Sequence, residues 1–265
     1  MIETTYYDLK QKTGLAPSLA SQVARELGRK IVSQSYQPGS LIEDEAALAE
    51  QYKVSRSVVR DAVKILVGKG LLEVRRGIGT RVKPRQMWGL FDDDVLAWSQ
   101  SAPPDPVALR NLLEVRQTFE PRAARWAAER GSSESHAEVH KAMIGMEENE
   151  SSLEDFLKSD AHFHRAILRA TENEFLIALE GLVFAGLLSS LKLTNLSARD
   201  NAASVPLHRA VSDAIQVRDG DSAENGMKIL LGDADLRLSQ RLALNLNKRD
   251  FDSGDSGNGR VGSNS

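Results

Sequence analysis

Residues 48–82 read LAEQYKVSRSVVRDAVKILVGKGLLEVRRGIGTRV, and this stretch decides the fold. Leu48, Val54, Val59, Ala62, Val63 and Leu66 recur at helical spacing and predict two short helices around one small core. Ser55 is placed to cap the second helix, which puts Arg56, Ser57 and Arg60 on its exposed leading turns. Long donors at the leading end and an apolar back face are what a recognition helix in the major groove requires. After Gly70 the pattern turns to strand, turn, strand: residues 71–75 and 80–83 flank Arg76-Gly77-Ile78-Gly79, whose glycines tolerate positive φ. The expectation is a winged helix-turn-helix that binds double-stranded DNA. Arg56 and Arg60 are the sharpest candidates for reading bases, because a guanidinium matches guanine O6 and N7. Ser57 is expected at a phosphate or a base edge, and Arg75, Arg76 and Gly77 of the wing at the backbone or minor groove.

Toward the N-terminus, Leu19, Val23, Leu27, Ile31 and Val32 predict one further helix, and Pro38-Gly39 a turn after it. The DNA-binding domain is therefore read as residues 18–84. Residues 1–17 are polar without a sustained period and are expected to be a mobile arm. Toward the C-terminus, residues 85–106 form a linker whose Trp88, Leu90, Phe91, Val95, Leu96 and Trp98 are too apolar for a flexible tether. It is expected to pack on the second domain or a partner subunit.

Residues 107–247 read almost wholly as helix, with breaks near 130, 150, 172 and at Asp219-Gly220-Asp221. Six helices of these lengths predict an antiparallel bundle for effector binding and dimerisation, so the fold class is mainly α with a single small hairpin. Residues 248–265 are rich in Gly, Ser, Asp and Asn and are read as a disordered tail.

Charge follows this division. Residues 1–85 hold 15 Lys+Arg against 9 Asp+Glu, a net +6, which leaves −9 for the rest of a chain of net −3. A basic first third suits phosphate contact, and an acidic remainder excludes broad nucleic-acid binding. The 265 residues contain no cysteine, which excludes disulfides and thiolate metal sites and fits a reducing compartment. No signal peptide and no membrane span are read, so a cytoplasmic protein is expected.

Asp160 and His164 are i,i+4 and share a helix face, and His208 opens a later helix that can converge on them. Imidazole nitrogen with carboxylate oxygen suits Zn, Ni or Mn as the divalent ion. The same three residues could hydrogen-bond an effector directly, or be satisfied core polars. Arg116 lies in an apolar face and is expected to neutralise a small carboxylate effector, the alternative being an internal salt bridge with Asp160 or Glu120. His136 and His140 spell HAEVH, with the glutamate misplaced for a metalloprotease base, and read as a solvated face.

The run PGSLIEDEAALAEQYKVSRSVVRDAVKILVGKGLLEVRRGIGTRV closely resembles the N-terminal domain of the GntR family of bacterial transcription regulators. The family's proline falls at Glu43, and an arginine that often touches DNA falls at Ala46. Glu114-Val115-Arg116, Glu120-Pro121, Asp160-x-x-Phe163-His164, and His208 followed by Asp219-Gly220-Asp221 resemble the helical FCD-type effector domain of the FadR branch. That resemblance implies a homodimeric repressor without catalytic residues, with Arg116, Asp160, His164 and His208 at the effector. It implies a fourth metal ligand at the position of Leu230, an apolar residue here. The linker pattern, Asp92-x-Asp94-Val95-Leu96-x-Trp98, resembles those of regulators answering to sugar acids such as galactonate or gluconate. The alternatives are a regulator that binds a fatty acyl thioester and, remotely, a metal-dependent enzyme.

Overall fold

The structure is a computed structural model that describes residues 2–10, 18–194 and 198–254. Its elements are α1 (Ile2–Leu9), α2 (Leu19–Val32), α3 (Glu45–Tyr52), α4 (Arg56–Gly68), β1 (Leu72–Arg75), β2 (Gly79–Val82), α5 (Asp93–Ser99), α6 (Pro106–Arg130), α7 (Ser133–Glu148), α8 (Leu153–Ala170), α9 (Glu174–Ala178), α10 (Glu180–Thr194), α11 (Ala198–Gln216) and α12 (Gly220–Gly254). The chain divides into two compact units: residues 1–104 with 177–188, and residues 105–176 with 189–265.

In the first unit α2, α3 and α4 enclose a core of Val23, Leu27, Ile31, Leu48, Val59 and Leu66. Side-chain caps set the helix starts. Ser18 accepts from Ser21 N, Asp44 from Ala46 N and Ala47 N, and Ser55 from Val58 N. The two strands pair antiparallel with Leu72 opposite Val82 and Arg75 opposite Gly79. Gly77 (φ 75°) and Gly79 (φ 121°) supply the left-handed residues that close this hairpin.

The linker departs from expectation. Trp88, Val95 and Trp98 join the DNA-binding core itself, whereas the sequence pattern pointed to the second domain or a partner; Asp93 and Leu96 do lie against Gly181 of α10, inside the stretch read from sequence as that domain. The physical reason lies on α2: a Cβ at Gly28 would stand 2.3 Å from the Trp98 ring, so glycine there opens the slot that the indole fills. Trp88 Nε1 donates to the Lys83 carbonyl at 2.8 Å. Lys69 bonds to Asp92 at 2.8 Å and Asp94 at 2.7 Å, tying α4 to the start of α5.

The mobile-arm expectation for residues 1–17 is corrected for residues 2–9, which form α1; residues 11–17 lie outside the described residues. Tyr6 is fully buried, and its hydroxyl donates to Asp93 at 2.9 Å. Tyr7 donates to Asp94 at 3.0 Å, and Arg29 and Ser101 both donate to the buried Glu3, at 2.7 and 2.6 Å. Lys10 bonds to Glu180 at 2.9 Å, which fastens the start of α10 to the same unit. These partners are remote in sequence, so an eight-residue helix with one apolar face gave no sustained period to read.

In the second unit α6, α7, α8, α11 and α12 pack on one another, with α6 against α8 and α12, and α11 against α7 and α12. Ala123, Ala124, Ala127 and Ala128 of α6 are fully buried and allow close helix approach, while Met143, Phe163, Ile167 and Met227 fill the centre. The bundle is not the six helices expected. The apolar run splits into α9 and α10, and the first part of α10 is buried in the first unit through Val183, Phe184 and Leu188. Residues 174–192 are long and apolar enough to cross a membrane by length and composition, in contrast to the sequence reading, yet the run breaks before Glu180 and its middle is packed inside protein. Helix α12 continues to Gly254, past residue 247 where disorder was expected; residues 255–265 lie outside the described residues.

Candidate functional site

Two sets of residues stand out, one on the surface of the first unit and one inside the second. On α4, Arg56, Ser57 and Arg60 are exposed on the leading turns, while Val59, Ala62, Val63 and Leu66 hold the opposite face in the core. Arg75, Arg76 and Gly77 are exposed at the hairpin tip, with Arg75 also 2.9 Å from Glu73. All six residues proposed from sequence for DNA are thus free of burial. Ser57 shares a hydrogen bond with Ser55, 2.8 Å apart. Arg60 Nε and Nη2 donate to Glu45 Oε1 and Oε2 at 3.1 and 2.7 Å, a fork the sequence reading did not anticipate.

Inside the second unit, α6 supplies Arg116 and Glu120, α8 supplies Asp160 and His164, and α11 supplies Ser204 and His208. The i,i+4 spacing puts each pair on one helix face, and all but the half-buried Asp160 are buried. His164 Nε2 and His208 Nε2 each lie 3.2 Å from Asp160 Oδ1. Phe163, fully buried, packs edge-on against both imidazoles, with ring centroids 5.7 and 5.3 Å away, and fixes their planes.

The outer nitrogens set the tautomers. His208 Nδ1 is 2.9 Å from the Ser204 carbonyl, which only accepts, so Nδ1 carries a proton. His164 Nδ1 lies 2.5 Å from Glu120 Oε2 as an ion-pair contact without hydrogen-bond alignment, while Arg116 Nη2, which only donates, stands 3.4 Å from Nε2 and leaves the proton on Nδ1. Neutral rings would then turn two Nε2 lone pairs onto one carboxylate oxygen. Acceptors converging in this way repel unless a cation lies among them.

A proton can serve. Burial by itself would lower the His164 pKa, but the Glu120 charge and hydrogen bonds to Asp160 and Glu120 raise it from 6.5 to about 9. A metal can serve as well. The three ligand atoms lie within 4.8 Å of one another, and 3.2 Å between neighbouring donors suits bonds of about 2.0–2.1 Å to a tetrahedral ion. Glu120 and the Ser204 carbonyl then act as the outer partners that orient metal-binding imidazoles. Arg116 Nη2 stands 3.4 Å from His164 Nε2, which opposes a cation, but its charge is neutralised by Glu120 at 2.5 Å. The residues fit the group.

Burial would raise both carboxylates, but the Arg116 and His164 charges hold Glu120 at about 2, and hydrogen bonds from His164 and His208 hold Asp160 well below the usual range. The internal salt bridge considered for Arg116 is therefore present, with Glu120 and not Asp160. Glu120 is the residue that sequence reasoning passed over as a member of the site; its signal was the i,i+4 spacing from Arg116. Leu230, at the expected fourth ligand position, is buried on α12. His136 is corrected: it is buried, with Nε2 donating to the Ala127 carbonyl at 2.8 Å, a structural contact rather than a solvated face.

Comparison with known proteins agrees with both halves. Residues 19–82 match the family of bacterial regulatory proteins called gntR, and residues 111–233 match the FCD domain. The galactonate operon transcriptional repressor of Escherichia coli is 34% identical over 81% of this chain and 94% of its own length. An HTH-type transcriptional regulator of Escherichia coli, YieP, is 31% identical over 85% of this chain and 97% of its own. Among solved structures, Lar, which controls expression of the Listeria monocytogenes agr system, has the same fold at TM-score 0.60 and 17% identity, covering 86% of this chain and 99% of its own. These relatives are regulators of transcription, not enzymes, and the chain belongs to the GntR family, with a winged helix-turn-helix followed by an FCD effector domain.

Proposed function

We propose that the protein is a cytoplasmic homodimeric repressor whose operator grip is released by a small hydroxy-carboxylate bound at Asp160, His164 and His208. The observation that carries this reading is the convergence of both Nε2 atoms on Asp160 Oδ1, with the Ser204 carbonyl accepting from one outer nitrogen and the Glu120 charge beside the other. That donor set suits Zn, Ni or Mn, held by three protein ligands with Leu230 leaving the fourth position to water or ligand. When bound, such an ion supplies a Lewis-acid anchor for carboxylate and hydroxyl oxygens. Arg116 uses Nε on Glu120, so Nη1 is the edge left for an effector carboxylate. Sugar acids of the galactonate or gluconate kind are the favoured class, in line with the galactonate operon repressor among the relatives. A fatty acyl thioester fits less well, because its chain needs apolar lining where this site is charged.

On the DNA side Arg56 and Arg60 read guanines in the major groove, Ser57 meets a phosphate or base edge, and Arg75, Arg76 and Gly77 follow the backbone or minor groove. A two-fold dimer on a pseudo-palindrome supplies the specificity that one winged helix lacks. Effector binding favours a dimer geometry whose recognition helices no longer match the half-sites.

The test is metal content by mass spectrometry of the purified protein and of Asp160→Ala, with calorimetric titration of galactonate and gluconate into both. About one equivalent of transition metal, lost in Asp160→Ala together with acid binding, is the expected result. Acid binding that survives in Asp160→Ala would remove this cluster from the effector site.

A further inference from the structure

We propose that Glu45 is a positioning residue for DNA recognition, holding the Arg60 guanidinium so that one chosen edge faces the base pairs. The proposal rests on the reading of α4 as the recognition helix. Glu45 opens α3, and its carboxylate reaches across the turn to α4 with both oxygens, Oε1 to Nε at 3.1 Å and Oε2 to Nη2 at 2.7 Å. This is the side-on fork, the most directional contact the two side chains can make. The hydrogen bond from Arg60 and its charge lower the Glu45 carboxyl, so the fork is charged across the physiological range.

Both side chains are largely exposed, and pairs of this kind contribute little to stability. The consequence is geometric. A guanidinium has two edges that can read guanine O6 and N7. Glu45 takes the Nε–Nη2 edge, which leaves Nη1 and the second Nη2 hydrogen as the reading fork. It also removes rotamer freedom from a long side chain before DNA arrives. Arg56, four residues earlier, has no such fork among the described residues.

The neighbouring acids show that this is a specific arrangement. Residues 43–45 are Glu-Asp-Glu, a run that should repel phosphate, yet each carboxylate has its own task. Glu43 accepts from Tyr36 at 2.5 Å, and Asp44 caps α3 through Ala46 N and Ala47 N at 2.9 and 2.8 Å. Only Glu45 is spent on a residue of the DNA-facing surface.

Two opposite expectations separate positioning from plain charge. If Glu45 only repels phosphate, Glu45→Gln tightens binding to every duplex alike. If it positions Arg60, Glu45→Gln weakens binding to the preferred sequence and not to others. The probe is the duplex recovered by the wild-type chain from a randomised pool, with single G·C to A·T replacements and a scrambled duplex as controls. Affinities are compared for wild type, Glu45→Gln, Arg60→Ala and the double variant.

Glu45→Gln is expected to lose about five- to tenfold on the selected duplex, within the range of one good base contact. The loss should concentrate at the guanine to which Arg60→Ala becomes blind, with scrambled-duplex binding equal or tighter. In the Arg60→Ala background Glu45→Gln should add no loss. Equal tightening on both duplexes, or the same loss without Arg60, overturns the proposal. If Arg60→Ala itself binds the selected duplex as wild type does, the recognition-helix reading fails first; if only Arg60→Ala loses, the failure is of Glu45 alone. Unchanged melting of Glu45→Gln shows that the fold is intact.

Discussion

In metal-free protein, raising the pH should destabilise the effector domain chiefly through one residue, His164. Its pKa stands at about 9 in the folded chain against 6.5 for an unrestrained imidazole, the Glu120 charge and two hydrogen bonds outweighing burial. A group whose folded pKa is raised contributes stability that is complete below the unfolded pKa and is lost as pH climbs through the folded one. The window is therefore pH 6.5 to about 9, with stability falling. At about 1.36 kcal/mol per pH unit the whole effect is on the order of 3 kcal/mol. For a body of this size that corresponds to roughly 6–12 °C in melting temperature. Glu120 and Asp160 do not contribute in this window, because their pKa values are depressed and their stabilisation is lost only as the solution is acidified. No thiol titrates here, since the chain has no cysteine, and burial pushes Tyr6 and Tyr7 upward out of the range; burial lowers Lys192, whose contribution has the opposite sign and is shared by wild type and His164→Gln. The assay is thermal unfolding by circular dichroism in EDTA from pH 6.5 to 9.5, for wild type and His164→Gln. Metal-loaded protein, which has already released the proton, should show a flatter profile. Parallel curves for EDTA-treated wild type and His164→Gln would refute the reasoning.

Other perturbations follow from packing. Glu120→Gln removes the counter-charge of the buried Arg116 and should cost about 3 kcal/mol or more in denaturant unfolding. It should also weaken retention of any bound metal, read by chelator competition, because the negative charge beside His164 Nδ1 is lost. Gly28→Ala sets a methyl 2.3 Å from the Trp98 ring, so α5 must shift, with an expected loss of about 1–3 kcal/mol and a change in tryptophan fluorescence.

The winged helix was legible because its information is local: Ser55 as cap, the apolar back of α4 and the Gly-tipped hairpin are all readable within 35 residues. Asp160 and His164 were legible for the same reason, being one turn apart. What escaped depends on long-range contact. Glu120 was readable as a salt-bridge partner of Arg116, but its place beside His164 Nδ1 depended on α6 packing against α8. Arg60 gave no hint of its fork, since Glu45 lies 15 residues earlier on another helix. His136 read as polar surface because its burial depends on the Ala127 carbonyl at the end of α6. The linker's tryptophans announced packing but not its address, which a missing side chain at Gly28 decides.

Helix α1 bears on where the protein can be cut. The segment recognisable by kinship begins at residue 19, yet Tyr6 has no exposed surface and Gly181 is a glycine where a Cβ would meet the Tyr6 hydroxyl at 2.6 Å. Trimming the gene to the recognisable segment would keep every side chain proposed to meet DNA or an ion while opening an apolar slot beside Phe184 and stripping Asp93 and Glu180 of their Tyr6 and Lys10 partners. Such a fragment would carry the right chemistry on a sticky surface. For this chain the heritable module and the cooperative folding module end at different residues, and a purification tag belongs at the far terminus.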